Sequence, residues 1–299
     1  MVYIKIPSKD SEVMHGIIDL HVHASPDLYE RLFDEIELAK QFREVGYRAV
    51  LFKSHFTMNA DRAYFVRKIA GFKAFGGIVL NRAVGGLNPK AVEAAIGFGA
   101  KEVWMPSIDS ANHIRVMGAS SYPGLKYLGR SKRETEKYEG IRILTPEGDV
   151  VPEVYEILDL IADADIILGT GHLSLREVYA LINAARRTGV RKILITHPEW
   201  KATFWSVEDQ MKMAELGAIL EHCILPCMSF ETRLDPKIVA DAIKKVGADK
   251  CVMATDLGQV FNPHPIEGMR QFIRMMMKYG INEQEIERMT KDNPARLLE

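Results

Sequence analysis

With 299 residues, 47% of them hydrophobic and 26% charged, the chain has enough apolar material for one large core or two ordinary ones. Its 39 basic and 40 acidic residues leave a formal charge of -1 at pH 7 and no basic footprint for nucleic acid or an anionic membrane, so the expected partner is a small molecule. No apolar run reaches the roughly 18 residues that span a bilayer, Met1 to Glu12 lacks the apolar core of a secretory signal, and Cys223, Cys227 and Cys251 give no disulfide framework, so a cytoplasmic protein is expected.

The first strand candidate, Ile17 to His23, ends in His21-Val22-His23. Strict alternation puts Asp19, His21 and His23 on one face and Ile18, Leu20 and Val22 on the other, so two imidazoles stand together at the strand end as half of a transition-metal site. A helical pattern follows over Leu32 to Glu44, then a strand over Ala49 to His55 and a helix over Asp61 to Ala70. The alternation continues with the strands Phe75 to Asn81, Glu102 to Ser107, Ile166 to His172, Lys192 to His197, Ala218 to Cys223 and Cys251 to Asp256. Their intervening helices are Pro89 to Phe98, Pro152 to Ala162, Leu175 to Arg187, Val207 to Leu216, Pro236 to Val246 and Pro265 to Tyr279. Glycines such as Gly46 and Gly189 stand where helices stop.

Eight strands rich in Val, Ile and Leu, each followed by a helix, predict a single α/β domain over 1–299: a (β/α)8 TIM barrel. A doubly wound dinucleotide-binding sheet would want a glycine-rich loop after the first strand, and His-Ala-Ser-Pro-Asp stands there instead. One long insert after the fourth strand, Ser110 to Val151, carries Tyr122, Lys126, Tyr127, Arg130, Lys132, Arg133 and Lys137; it suits a lid over the barrel mouth, a solvated hairpin or a contact in a homo-oligomer.

Polar residues recur at the carboxyl ends of these strands, where barrels place their chemistry: His21 and His23, Lys53 and His55, His172, His197, and Asp256. Parity groups Leu51, Lys53 and His55, Ile193, Ile195 and His197, and Val252, Ala254 and Asp256, so these side chains are expected to converge. On the seventh strand alternation admits either Glu221 or His222 to the interior.

These segments resemble the amidohydrolase superfamily, whose motifs correspond here to Asp-Leu-His-Val-His (19 to 23), Thr-Gly-His (170 to 172), Thr-His-Pro (196 to 198), Thr-Asp (255 to 256) and the terminal Asn293-Pro294-Ala295-Arg296-Leu297-Leu298. The resemblance implies that His21, His23, His172 and His197 are metal ligands and that Asp256 both ligates metal and exchanges a proton with the attacking water. Two-metal members carry a bridging Lys or Glu on the fourth strand, whereas Glu102 to Ser107 ends without one; Lys53 is the nearest substitute, as a carboxylated bridge or as a grip for an anionic substrate group, with His55 beside it. Arg82, Gln259 and His264 are loop candidates for substrate contact, Asp19 either orients an imidazole from behind or is a structural acceptor, and Glu199 either supports His197 or begins a loop. His15 and His113 look incidental.

The chemistry so implied is hydrolysis of an amide, lactone or ester by water activated on one or two divalent ions, with zinc the best match and manganese, iron or nickel compatible. Rival readings are a metal-dependent decarboxylase or isomerase on the same barrel, a phosphoesterase of the polymerase-and-histidinol-phosphatase type, and a metal-binding barrel without turnover.

Overall fold

The computed structural model describes residues 12–118, 138–228 and 232–299. Its strands run parallel in sequence order: β1 Ile18–Val22, β2 Ala49–Phe52, β3 in two pieces (Ala74–Phe75 and Gly77–Val79), β4 Glu102–Trp104, β5 Ile167–Gly169, β6 Ile193–Thr196, β7 Ile219–Cys223 and β8 Cys251–Ala254. Each strand pairs with the next, and the ring closes where Asp256 N donates to His21 O (2.8 Å) and His23 N donates to Leu257 O (2.8 Å). The predicted (β/α)8 barrel is therefore the observed architecture, though each strand is shorter than its apolar run because the polar carboxyl ends turn out of the ladder.

β3 breaks at Gly76, where backbone crowding leaves no room for a side chain. A Cβ on Gly76 would lie 2.4 Å from Asn59 O, and one on Gly77 would lie 2.1 Å from Glu102 O. Asn59 bridges the break, its Oδ1 accepting from Gly77 N and its own N donating to Gly77 O.

Two hydrophobic layers follow from strand alternation. Leu20, Leu51, Val79, Trp104, Ile167 and Leu194 fill the barrel interior, and the terminal helix Asn293–Leu298 adds Ala295, Leu297 and Leu298 to that layer. Asn293 fixes this plug by donating to Ala248 O and Cys251 O at the amino end of β8. The alternate residues, Val50, Ile78, Val103, Leu168, Ile195 and Met253 among them, pack outward against the helices. Those helices start at well-made caps: Asp34 and Ser174 form capping boxes, and Pro89, Pro152, Pro236 and Pro265 occupy first turns.

The insert opens with a helix, Ala111–Met117, that the sequence pattern did not indicate. Ser110 caps it, and Ser110 bridges Ile141 while Leu144 bridges Val150. The basic and aromatic cluster Tyr122 to Lys137 lies outside the described residues. Among the described residues no helix is long and apolar enough to cross a membrane.

Candidate metal centre

β1 does not alternate as simple parity predicts. Its register against β2 slips between Asp19, opposite Val50, and Val22, opposite Phe52, so three residues of β1 answer two of β2. Ile18 and Leu20 point into the barrel, the bulge then turns His21 inward as well, and Val22 returns to the outer layer. Asp19 thus leaves the face of the two histidines. Its Oδ1 accepts from His21 N (3.2 Å) and Thr255 N (3.1 Å) and its Oδ2 from Thr255 Oγ1 (2.7 Å), so it staples the bulge to β8 rather than orienting an imidazole. Burial outweighs these bonds and pushes its carboxyl up to about 7.

A second parity is corrected on β6. Leu194 points inward, while Ile193 and Ile195 belong to the outer layer, which would send His197 outward. His197 instead adopts φ 30°, and this left-handed turn swings its ring into the mouth; Asp256, at φ 55°, is held the same way. Both are non-glycine residues in a region that costs energy, at the places where the sequence puts its chemistry.

His21, His23 and Asp256 converge, with ligand atoms all within 4.8 Å of one another. Asp256 Oδ1 lies 3.1 Å from His21 Nε2 and 3.0 Å from His23 Nε2. The far side of each ring is already committed. His23 Nδ1 donates to Lys53 O (2.9 Å), and His21 Nδ1 faces Glu221 Oε2 (3.1 Å). His23, pushed down to about 3 by burial and by Arg31, is neutral, so its Nε2 offers a lone pair to a carboxylate oxygen. Two acceptors at that separation call for a cation between them, so the donor set fits a divalent ion. Burial also disfavours charge on His21, yet Asp256 and Glu221 beside it prevail and raise it to about 9. Asp256 resists burial because the charged His21 lies beside it, and it is held well below the usual carboxylate range.

His172 and His197 form a second pair, Nε2 to Nε2 at 3.2 Å. Thr203 Oγ1 donates to His197 O (2.7 Å), so the same hydroxyl accepts from His197 Nδ1 (3.2 Å), which leaves His197 Nε2 with its lone pair. Behind His172 stands His113, the two Nδ1 atoms 2.8 Å apart, so His113 is no incidental residue. Trp200 packs over His172, His197 and His113, with centroids 4.7, 5.3 and 5.6 Å away. Lys53 Nζ lies 3.1 Å from His21 Nε2, inside the ligand cluster, and burial lowers its pKa. These groups open on one cavity of about 680 Å³.

The remaining candidates separate cleanly. His55 stacks on His23 (4.8 Å) and bonds Ser107, and Gln259 donates to Asp256 O; both line the cavity. Arg82 pairs with Asp109 and covers Tyr138, and it is not among the cavity-lining residues; nor is His264, which caps Pro265–Lys278. On β7 it is Glu221 that points inward, in phase with Ile219, while His222 pairs outside with Glu199 (2.9 Å), so Glu199 does not support His197. Cys223 Sγ lies 4.0 Å from His21 Nδ1. Glu102 also faces inward, fully buried with neither oxygen bonded, and burial together with Glu221 holds its carboxyl well above the ordinary range. The sequence placed Glu102 at a strand start, and only the phase set by Trp104 reveals that it points inside.

Eight parallel strands form a barrel with imidazoles and an aspartate gathered at its carboxyl-end mouth, a fold shared with solved hydrolases and a decarboxylase. Solved structures with this fold include an amidohydrolase from Pseudomonas aeruginosa, 12% identical over 97% of this chain and 98% of that one, with a TM-score of 0.64. A lactonase from Listeria monocytogenes is 12% identical over 96% of each chain (TM-score 0.55), and a 2,6-dihydroxybenzoate decarboxylase is 10% identical over 95% and 99% (TM-score 0.56). No curated protein matches the sequence significantly. Residues 16–221 match the model described as a family of unknown function, DUF6282, and the chain belongs to that family.

Proposed function

We propose that the chain is a metal-dependent hydrolase acting on the carbonyl of a small amide, lactone or ester. The observation that carries this reading is the convergence of His21, His23 and Asp256 within 4.8 Å, with the two imidazoles fixed from behind by Glu221 and the Lys53 carbonyl. A divalent ion held by these residues would acidify a bound water and polarise a substrate carbonyl, and zinc suits the mixed imidazole and carboxylate donors.

The chain's own groups supply the rest. Asp256 faces the imidazoles through Oδ1 alone, which leaves Oδ2 to take a proton from the attacking water and return it to the leaving group. His172 and His197, wedged under Trp200, hold the opposite wall, and His197 Nε2 with its lone pair, beside His172 Nε2, offers a ligand to a second ion. A two-ion version is favoured by Lys53, whose amine, with its pKa lowered by burial, sits 3.1 Å from His21 Nε2, where a carboxylated lysine could bridge.

The test is elemental analysis of protein purified with added zinc, followed by assay on amide, lactone and ester panels with and without a chelator. At least one equivalent of metal and chelator-sensitive turnover are expected. Absence of bound metal, or turnover indifferent to its removal, overturns the reading; two equivalents would place Lys53 between ions, and release of carbon dioxide without hydrolysis would move the chain to decarboxylation.

A further inference from the structure

Apart from the ligand cluster the cavity wall is mostly apolar, with Ile108, Met117, Trp200, Leu225, Val260 and Phe261, and it also carries Tyr29 and the acidic Glu30. Within it lies one guanidinium, Arg31, whose side chain is 3% exposed. Arg31 Nε and Nη2 both donate to Asp27 Oδ2, at 3.0 and 2.9 Å, and Asp27 Oδ1 accepts from Tyr29 N. Asp27 is fully buried and pinned, so it orients the guanidinium. The Arg31 backbone bridges Gln259, the residue that donates to Asp256 O, so the fork is tied to the loop that carries Asp256. Arg31 Nη1 donates to no described residue.

A buried guanidinium with a donor to spare, facing a cavity, is an anion subsite. Because Asp27 already balances most of its charge and a single nitrogen is left, a monoanion fits and a phosphate dianion does not. We propose that the substrate is a carboxylic acid with a flat apolar body: its carboxylate engages Arg31 Nη1, its body lies along the Trp200 and Phe261 wall, and its scissile carbonyl reaches the cluster of His21, His23 and Asp256. This rests on the hydrolase reading for the carbonyl, but the carboxylate subsite stands on Arg31 alone.

The test compares 3-phenylpropionate with neutral 3-phenylpropionamide, titrated calorimetrically into zinc-supplemented full-length protein. Wild type is expected to bind the acid at least about tenfold more tightly than the amide, the size of one charge-assisted hydrogen bond. Arg31→Met should bring the two within about threefold at unchanged metal content, and Arg31→Lys, which keeps charge but not the fork, should fall between. Equal binding of acid and amide by wild type, binding of neither, or a preference that survives in Arg31→Met overturns the proposal. If Arg31→Met does not fold, an undiminished preference in Arg31→Lys overturns it. Low metal content in the wild type would count against the hydrolase reading, while the acid-to-amide ratio still reports on Arg31.

Discussion

Glu221→Gln is the most discriminating substitution, because two effects of opposite sign meet in it. Glu221 Oε2 lies 3.1 Å from His21 Nδ1, with both groups fully buried. Glutamine keeps an acceptor there but not the charge, and the difference between a charge-assisted and a neutral hydrogen bond is about 1 to 2 kcal/mol. That loss alone weakens metal binding about 5- to 30-fold. Yet the same carboxylate, with Asp256, raises His21 against burial to about 9, so near neutral pH the metal must displace a proton from His21. Removing the charge lowers that barrier. The weakening should therefore be greatest above about pH 9, where His21 carries no proton in either protein, and partly offset near pH 7. Competition against a metal-sensitive dye across this range measures it: the variant should bind more weakly at high pH and show a shallower pH dependence. Equal affinity and equal slope in the two proteins would mean that Glu221 neither charges nor orients His21.

Asp256→Asn should lower turnover by about 10²- to 10⁴-fold with a much smaller change in metal content, which elemental analysis and kinetics separate. His172→Ala should reduce metal content, and unchanged content would remove His172 from the ligand set; His113→Ala, which strips the partner 2.8 Å behind it, should weaken metal binding about tenfold by dye competition. Acid should destabilise the chelator-treated protein. His23, His197 and His113 fall to about 3, 3 and 4, and His55, His172 and His264 are lowered too, so below the unfolded value of 6.5 the unfolded chain binds these protons first. Among the described residues Asp19, Glu35 and Glu102 oppose this with raised carboxyls, while His21 and His222, raised to about 9 and 10, are protonated in both states over most of the window, so Tm should drop as pH falls from about 6.5 toward 4, and a flat profile would contradict the buried neutral imidazoles. Gly258→Ala should lower Tm by at least about 2 °C in calorimetry, since φ there is +139° and a Cβ would lie 1.8 Å from His23 O.

The barrel is legible in the sequence because each strand is an apolar run and each helix has its own caps, both local signals. The gathering of polar residues at the barrel mouth is legible for a different reason: such residues at the carboxyl ends of apolar strands have little structural use. What is not legible is phase. His21 reaches the metal-site cluster and His197 the cavity against simple alternation, one through a bulge at Asp19 to Val22 and the other through φ 30°, and neither device leaves a mark such as glycine. The choice between Glu221 and His222 needs the inward direction of Ile219, which only the closed ring defines. His113 looks incidental in the sequence and Arg31 is not singled out, because both lie off the strands, where no period applies.

Those two departures also show how the site is held together. A strand obeying its period would present Leu20 and Val22, or His21 and His23, but not Leu20 to the core and both histidines to the mouth. The bulge delivers all three, and Asp19 makes it possible by taking the backbone N–H of His21 as well as both donors of Thr255. A carboxyl raised to about 7 by burial is a costly fastener, and its position explains the cost: it joins the strand of His21 and His23 to the strand of Asp256 at the seam of the barrel. Asp19→Asn should keep the fold, because an amide still accepts from the backbone, but it cannot accept through both atoms. The spacing of His21, His23 and Asp256 should loosen, weakening metal binding about tenfold with little change in far-ultraviolet circular dichroism. Unaltered metal affinity in that variant would show that the seam is set by the strand ladder alone.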